Sequence, residues 1–206
     1  MCSSSSASAV ASPAASAASP HDAIFGLDTG GVMMSAADAL TVIRALEAGG
    51  IDVWLGDGGW GVDALLGKQT RPHKDVDVIV RLDQARDLVA VLQARGFAVA
   101  EGRLTSCFVL RDQNGRTVDV HPVVFDRDGN GNYTMENGEV WVYAAAWFGG
   151  SGVIEGRPVR CLTAQGQALC HTGYPLDNED RQDMAALHRR FGVELLPEQL
   201  PTATPR

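Results

Sequence analysis

An α+β fold is what this chain predicts, and three patterns predict it. Apolar and polar residues alternate over 75–80 and 117–124, the period of half-buried strands. Apolar residues recur at helical spacing over 35–46, 82–95 and 178–191. Turn residues punctuate these segments, and Asn114-Gly115 is a hairpin signal. With 206 residues, 45% of them apolar, the chain can bury a full core as one domain with a small appendage.

Taken in order, residues 1–32 are rich in Ser, Ala, Pro and Gly and show no periodicity, so a disordered tail is expected there. The stretch lacks the basic start and apolar middle of a secretory signal, and no Arg or Lys precedes Arg44, which argues against a transit peptide. Met33 or Met34 is the alternative translation start. The main domain is expected over 33–160. Ser35 caps a helix carrying Leu40, Val42, Ile43 and Leu46, closed by Gly49-Gly50. Leu82 to Arg95, closed by Gly96, is a second amphipathic helix. Phe97–Ala100 and Leu104–Leu110 are expected strands, and the Asn114-Gly115 turn returns the chain as a strand over 117–124. A short strand follows at Glu139–Tyr143, then a glycine-broken flap or edge hairpin over 147–158. A C-terminal helical part over 161–196 holds helices at Thr163–Cys170 and Asn178–Phe191. In the second, Asp180 and Asp183 are expected on a solvated face. The Pro/Thr-rich tail over 197–206 is expected to be loose.

The chemistry concentrates between Trp54 and Val80. Ile51–Leu55 is an apolar strand ending at Gly56-Asp57-Gly58-Gly59, where bare backbone can approach a ligand. Trp60–Leu66 has helical spacing and Gly67 stops it. The first amides of such a helix are a seat for phosphate. In the next strand Val76, Val78 and Val80 face one side, while Asp75 and Asp77 project together on the other. Carboxylates that close repel unless a cation lies between them. Magnesium takes oxygen ligands in this way and leaves positions open for substrate phosphates. Asp119 alternates with Val118 and Val120, so it joins Asp75 and Asp77 if the two strands share a sheet. Three carboxylates suit a two-ion site. Together these features point to metal-assisted chemistry on a nucleoside triphosphate.

Other features narrow the class. A formal charge of −8, from 25 acids against 17 Lys plus Arg, disfavours a nucleic-acid binder and fits a cationic substrate or a metal-loaded site. Cys2, Cys107, Cys161 and Cys170 have no CxxC spacing, which predicts reduced thiols and a cytoplasmic location. No window suits a membrane span. Residues 126–137 nearly match a calcium loop, but the closing Glu136 comes one place early, so a polar turn is expected.

The segments GGWGVDALLGKQTRPHKDVDV, VDVHPVVFDRDG and HTGYPLDNEDRQDM resemble the lincosamide nucleotidyltransferases, and more distantly the aminoglycoside nucleotidyltransferases of the same polymerase-beta-like superfamily. The resemblance runs from Ser35 to Leu196. It implies a minimal nucleotidyltransferase fold, a mixed sheet with flanking helices followed by a small helical substrate-facing part. It implies transfer of a nucleotide, usually AMP, from magnesium-bound ATP or another NTP to an antibiotic hydroxyl. By position, Asp75, Asp77 and Asp119 match the metal-binding and catalytic acids, with Asp119 as base, and two Mg2+ ions are expected. Gly58 and Gly59 match the phosphate turn, and Arg71 and Lys74 are candidates for holding the triphosphate. His121, Tyr174 and Asp180 are candidates on the acceptor side. His73 either touches a ligand or is satisfied by a neighbouring carboxylate. The expected partners are a small-molecule antibiotic and an NTP, with no nucleic acid and no membrane, and a homodimer is left open. Two rival readings are an aminoglycoside acceptor and a non-catalytic nucleotide-binding or toxin–antitoxin protein of the same fold.

Overall fold

The computed structural model describes residues 32–200. The expected disordered tail over 1–32 therefore lies, Val32 apart, outside the described residues. Helix α1, Ala36–Ala48, opens at Ser35, whose hydroxyl accepts from the Asp38 amide while Asp38 accepts back from Ser35. Strand β1, Val53–Leu55, leads through the glycine turn into α2, Gly59–Leu66, which ends on Gly67 in the left-handed region at φ 71. Strand β2 spans Asp75–Arg81, and a 3₁₀ turn at Leu82–Gln84 precedes α3, Ala85–Gln93.

Strands β3 (Phe97–Gly102), β4 (Phe108–Asp112) and β5 (Thr117–Phe125) follow. The strand expected from Leu104 starts only at Phe108, because residues 103–106 form a turn in which Ser106 donates to the Arg103 carbonyl. Between β4 and β5, the Asp112 carboxylate accepts from the amides of Asn114 and Arg116 and fastens the Asn-Gly turn. The turn after β5 is likewise closed by Asp126, which accepts from the amides of Asp128 and Asn130. Its carboxylate is thus used within the polar turn expected there. Strands β6 (Gly131–Thr134) and β7 (Val140–Tyr143) form a hairpin on β5. β8 (Gly150–Ile154) and β9 (Arg157–Cys161) form the edge hairpin, turning on Glu155-Gly156 at φ 46 and 74.

The strands make one sheet in the order β3-β4-β5-β2-β1-β9-β8, with β6 and β7 branching from β5. It is mixed: β2 runs parallel to β5 and antiparallel to β1. Val76, Val78, Val80, Val118 and Val120 are buried with Leu40, Ile43 and Leu46 of α1 and Leu88 and Leu92 of α3. Helices α4 (Ala164–Cys170) and α5 (Asn178–Phe191) pack with α2 around Val62, Ala168, Met184 and Leu187. Residues 197–200, expected to be loose, instead return to this layer. Gln199 is buried and donates to the carbonyls of Ala168 and His171, and Arg181 donates to the carbonyls of Glu198 and Leu200. No helix among the described residues is long and apolar enough to cross a membrane.

Candidate active site

The parallel register of β2 and β5 assembles the acids. Asp77 lies opposite Asp119 and Asp75 opposite Thr117, so residues of the same parity leave the same face. The Asp77 carboxyl stands well above the usual carboxylate range, first because it is buried, then because Asp75, Asp119 and Asp57 surround it with like charge. A cation among these oxygens relieves both penalties, so the donor set fits magnesium.

The glycine turn closes against this cluster. The Gly56 amide donates to the Asp77 carbonyl at 2.9 Å. A side chain at Gly58 would collide with the Asp77 carboxylate, and one at Gly59 with the His73 ring. Here the glycines are required by close approach: Gly58 has φ −101, which any residue adopts. The N-cap residue of α2 is Gly58, which has no side chain to cap the first amides, and this suits them to an anion. Gln167 of α4 donates to the Gly56 carbonyl at 2.7 Å and anchors the turn from the C-terminal side.

Three acids thus share one sheet face beside the turn that opens α2. The chain is also similar to known proteins. A family profile described as aminoglycoside-2''-adenylyltransferase matches residues 38–187. A lincosamide resistance protein of Staphylococcus haemolyticus is 30% identical over 137 residues, 66% of this chain and 84% of that protein. A 2''-aminoglycoside nucleotidyltransferase of Escherichia coli is 30% identical over 120 residues, 58% of this chain and 63% of its own length. The chain belongs to this family of antibiotic nucleotidyltransferases. The crystal structure of the lincosamide antibiotic adenylyltransferase LnuA with lincomycin bound superposes with a TM-score of 0.68 at 26% identity, over 76% of this chain and 98% of LnuA. ANT(2'')-Ia in complex with adenylyl-2''-tobramycin shares the fold, with a TM-score of 0.59 at 21% identity over 75% and 87% of the two chains.

In this nucleotidyltransferase, several other predicted residues sit differently from one another. His121 is buried beside the acids, with Nε2 at 3.8 Å from Asp119 and 4.0 Å from Asp77. Arg71 is held by Glu179 at 2.6 Å and by Asp183 at 2.9 Å, although its guanidinium also lies near Gly59. Asp183 is therefore buried, contrary to the solvated face expected for it. Burial raises its carboxyl above the usual range against the opposing pull of Arg71. Lys74 is exposed in the bend before β2. Asp180 forms a reciprocal capping box with Asp177 at the start of α5, with its other oxygen 3.7 Å from His171. The Tyr174 ring lies 6.5 Å from His171, and burial, followed by the charges of Asp180 and Asp57, pushes its hydroxyl far up.

Sequence reasoning missed Asp57, Asp63, Gln167 and Cys107 as site neighbours. His73 Nε2 pairs with the buried Asp63 of α2 at 2.5 Å, while Asp63 Oδ1 accepts from Thr70, so the neighbouring-carboxylate account of His73 holds. The only trace of this in the sequence is a charged residue inside the apolar run of α2. Cys107 donates its thiol to Asp119 Oδ1 at 3.1 Å, a contact with no sequence signal.

Proposed function

We propose that this chain inactivates a lincosamide by moving a nucleoside monophosphate, AMP from ATP, onto one of its hydroxyls. The observation that carries the proposal is the pairing of Asp77 with Asp119 across β2 and β5, with Gly58 against Asp77. The resemblance to LnuA and to the Staphylococcus haemolyticus protein supports the acceptor class.

Asp75, Asp77 and Asp119 would hold two magnesium ions, which when bound supply charge neutralisation at the phosphoryl oxygens. The remaining work falls to the chain. The amides opening α2 at Gly59 face the triphosphate and orient it. Asp119 takes the proton of the acceptor hydroxyl as the hydroxyl oxygen bonds to the α-phosphorus. The bond from that phosphorus to the bridging oxygen breaks, and pyrophosphate leaves. Gln167 and Gly56 keep the turn fixed against β2, so positioning contributes much of the acceleration. Arg71 lies near Gly59 while paired with Asp183 and Glu179, a position from which it can face the triphosphate. Tyr174 and His121 border the acceptor side.

An aminoglycoside acceptor is the second reading, favoured by the family profile. The two acids that would have suited a polycation in the C-terminal part are already engaged, Asp183 by Arg71 and Asp180 by the helix cap. A panel of both drug classes with radiolabelled ATP decides between them, and labelled aminoglycoside without labelled lincosamide would overturn the first. Replacing Asp119 by Asn should lower kcat about 10²–10⁴-fold with little change in KM for ATP. A loss confined to KM would remove Asp119 from the role of base.

A further inference from the structure

One group beside the acids has no part in the chemistry above. The thiol of Cys107 sits immediately before β4, across from Asp119 and His121 of β5. Side-chain donor atoms of these three residues all lie within 4.8 Å of one another. Cys107 Sγ is 3.1 Å from Asp119 Oδ1, and His121 Nε2 is 3.8 Å from the same oxygen. Cys107 and His121 are buried, whereas the Asp119 side chain keeps 22% exposure, which leaves an approach from the face of the acids. His121 Nδ1 is buried with no hydrogen-bond partner among the described residues. Tyr133 and Ser106 are buried as well, and the Tyr133 hydroxyl lies close to Ser106 and Cys107.

We propose that Cys107, Asp119 and His121 form a second cation site, selective for a thiophilic divalent ion such as zinc or cadmium, and that filling it takes Asp119 out of nucleotidyl transfer. One sulfur, one imidazole nitrogen and one carboxylate oxygen make a three-ligand set with a fourth position open towards the acids. Magnesium demands an oxygen shell and gains nothing from the sulfur and nitrogen, so the two kinds of ion divide between overlapping sites that share Asp119. Binding replaces the thiol proton by the ion and releases that proton to solvent. The binding claim stands apart from the transfer reading, and the inhibitory claim rests on it.

The test uses the full chain in excess magnesium without nucleotide, titrated with cadmium and followed by the ultraviolet thiolate-to-metal absorption. The expected result is one equivalent per chain, with the band lost in Cys107→Ser and the affinity lowered on the order of 100-fold in His121→Gln. No band overturns the site, and a band unchanged in Cys107→Ser overturns it as well, by assigning the binding to Cys2, Cys161 or Cys170. Should Cys107→Ser fail to fold by its melting profile, His121→Gln decides, and unaltered affinity there overturns the site as well. In the second arm, zinc should lower AMP transfer at least about tenfold in the parent chain, and the ratio with and without zinc should approach one in His121→Gln. Transfer unaffected by zinc in a chain that binds cadmium overturns the inhibitory claim alone. Cadmium binding in a chain that transfers no nucleotide to any acceptor supports the site and removes the transfer reading instead.

Discussion

The two faces of β2 and β5 are built from alternate residues of the same strands and behave in opposite ways. Val76, Val78, Val80, Val118 and Val120 are sealed against α1 and α3, where each gains from leaving water. Asp75, Asp77 and Asp119 leave the other face, and there Asp77 carries burial and like-charge penalties together. The valine face thus supports a charge cluster that is unfavourable without a ligand. The lesson is that stability and chemistry are separated here by a single residue step, and that the acid face is held together by its neighbour rather than by itself.

The largest break in this comparison is Asp77→Asn. Transfer should fall on the order of 10³-fold or more, since a carboxylate that would hold magnesium, and with it the neutralisation of the phosphoryl charge, is lost. The metal-free chain should nonetheless become more stable at neutral pH. Because the folded Asp77 carboxyl titrates above its unfolded value near 3.8, the parent chain loses stability as pH rises from that value through the folded one. The stability gap between variant and parent should therefore close at low pH and open as pH rises, as chemical denaturation across pH will register. A variant less stable than the parent at neutral pH would contradict the like-charge account.

Gly58→Ala comes next, because a methyl group there displaces the Asp77 carboxylate or the start of α2. A shift of that kind should cost on the order of 100-fold in kcat/KM with the fold retained, measured by AMP transfer and circular dichroism. Val120→Ala probes the opposite face. It should cost roughly 1.5–3 kcal/mol in denaturant unfolding, with kcat little changed below the melting range. Glu179→Gln is the smallest perturbation. Its side chain is 60% exposed at Arg71, and its loss should change stability by only about 0.5 kcal/mol while Asp183 still holds the guanidinium. A larger effect would mean that Glu179 does more at the α5 end of the site than pair at the surface.

Local signals were legible because they are local. Ser35 and Gly67 mark helix ends through hydrogen bonds made within a few residues. Asn178–Phe191 carries its own stripe, and the alternation around Asp75 and Asp119 assigns both to the polar side of their strands. The start of β4 was misplaced because residues 103–106 form a turn despite the apolar Leu104, and residues 197–200 were misjudged because Gln199 satisfies carbonyls on α4 and after it. Asp183 has the spacing of a surface residue, and only the arrival of Arg71 from the loop before β2 explains its burial.

The amino-acid sequence by itself determined the helix caps, the face each acid occupies and the bare turn at Gly58-Gly59, since backbone geometry and side-chain period need no distant partner. Only the tertiary structure decided that β5 lies parallel beside β2 in the register that faces Asp77 with Asp119. It alone brought Gln167 to the turn, Asp183 to Arg71 and Cys107 to Asp119. The physical reason is that a period states which way a side chain points, whereas its neighbour is chosen by how the whole core closes.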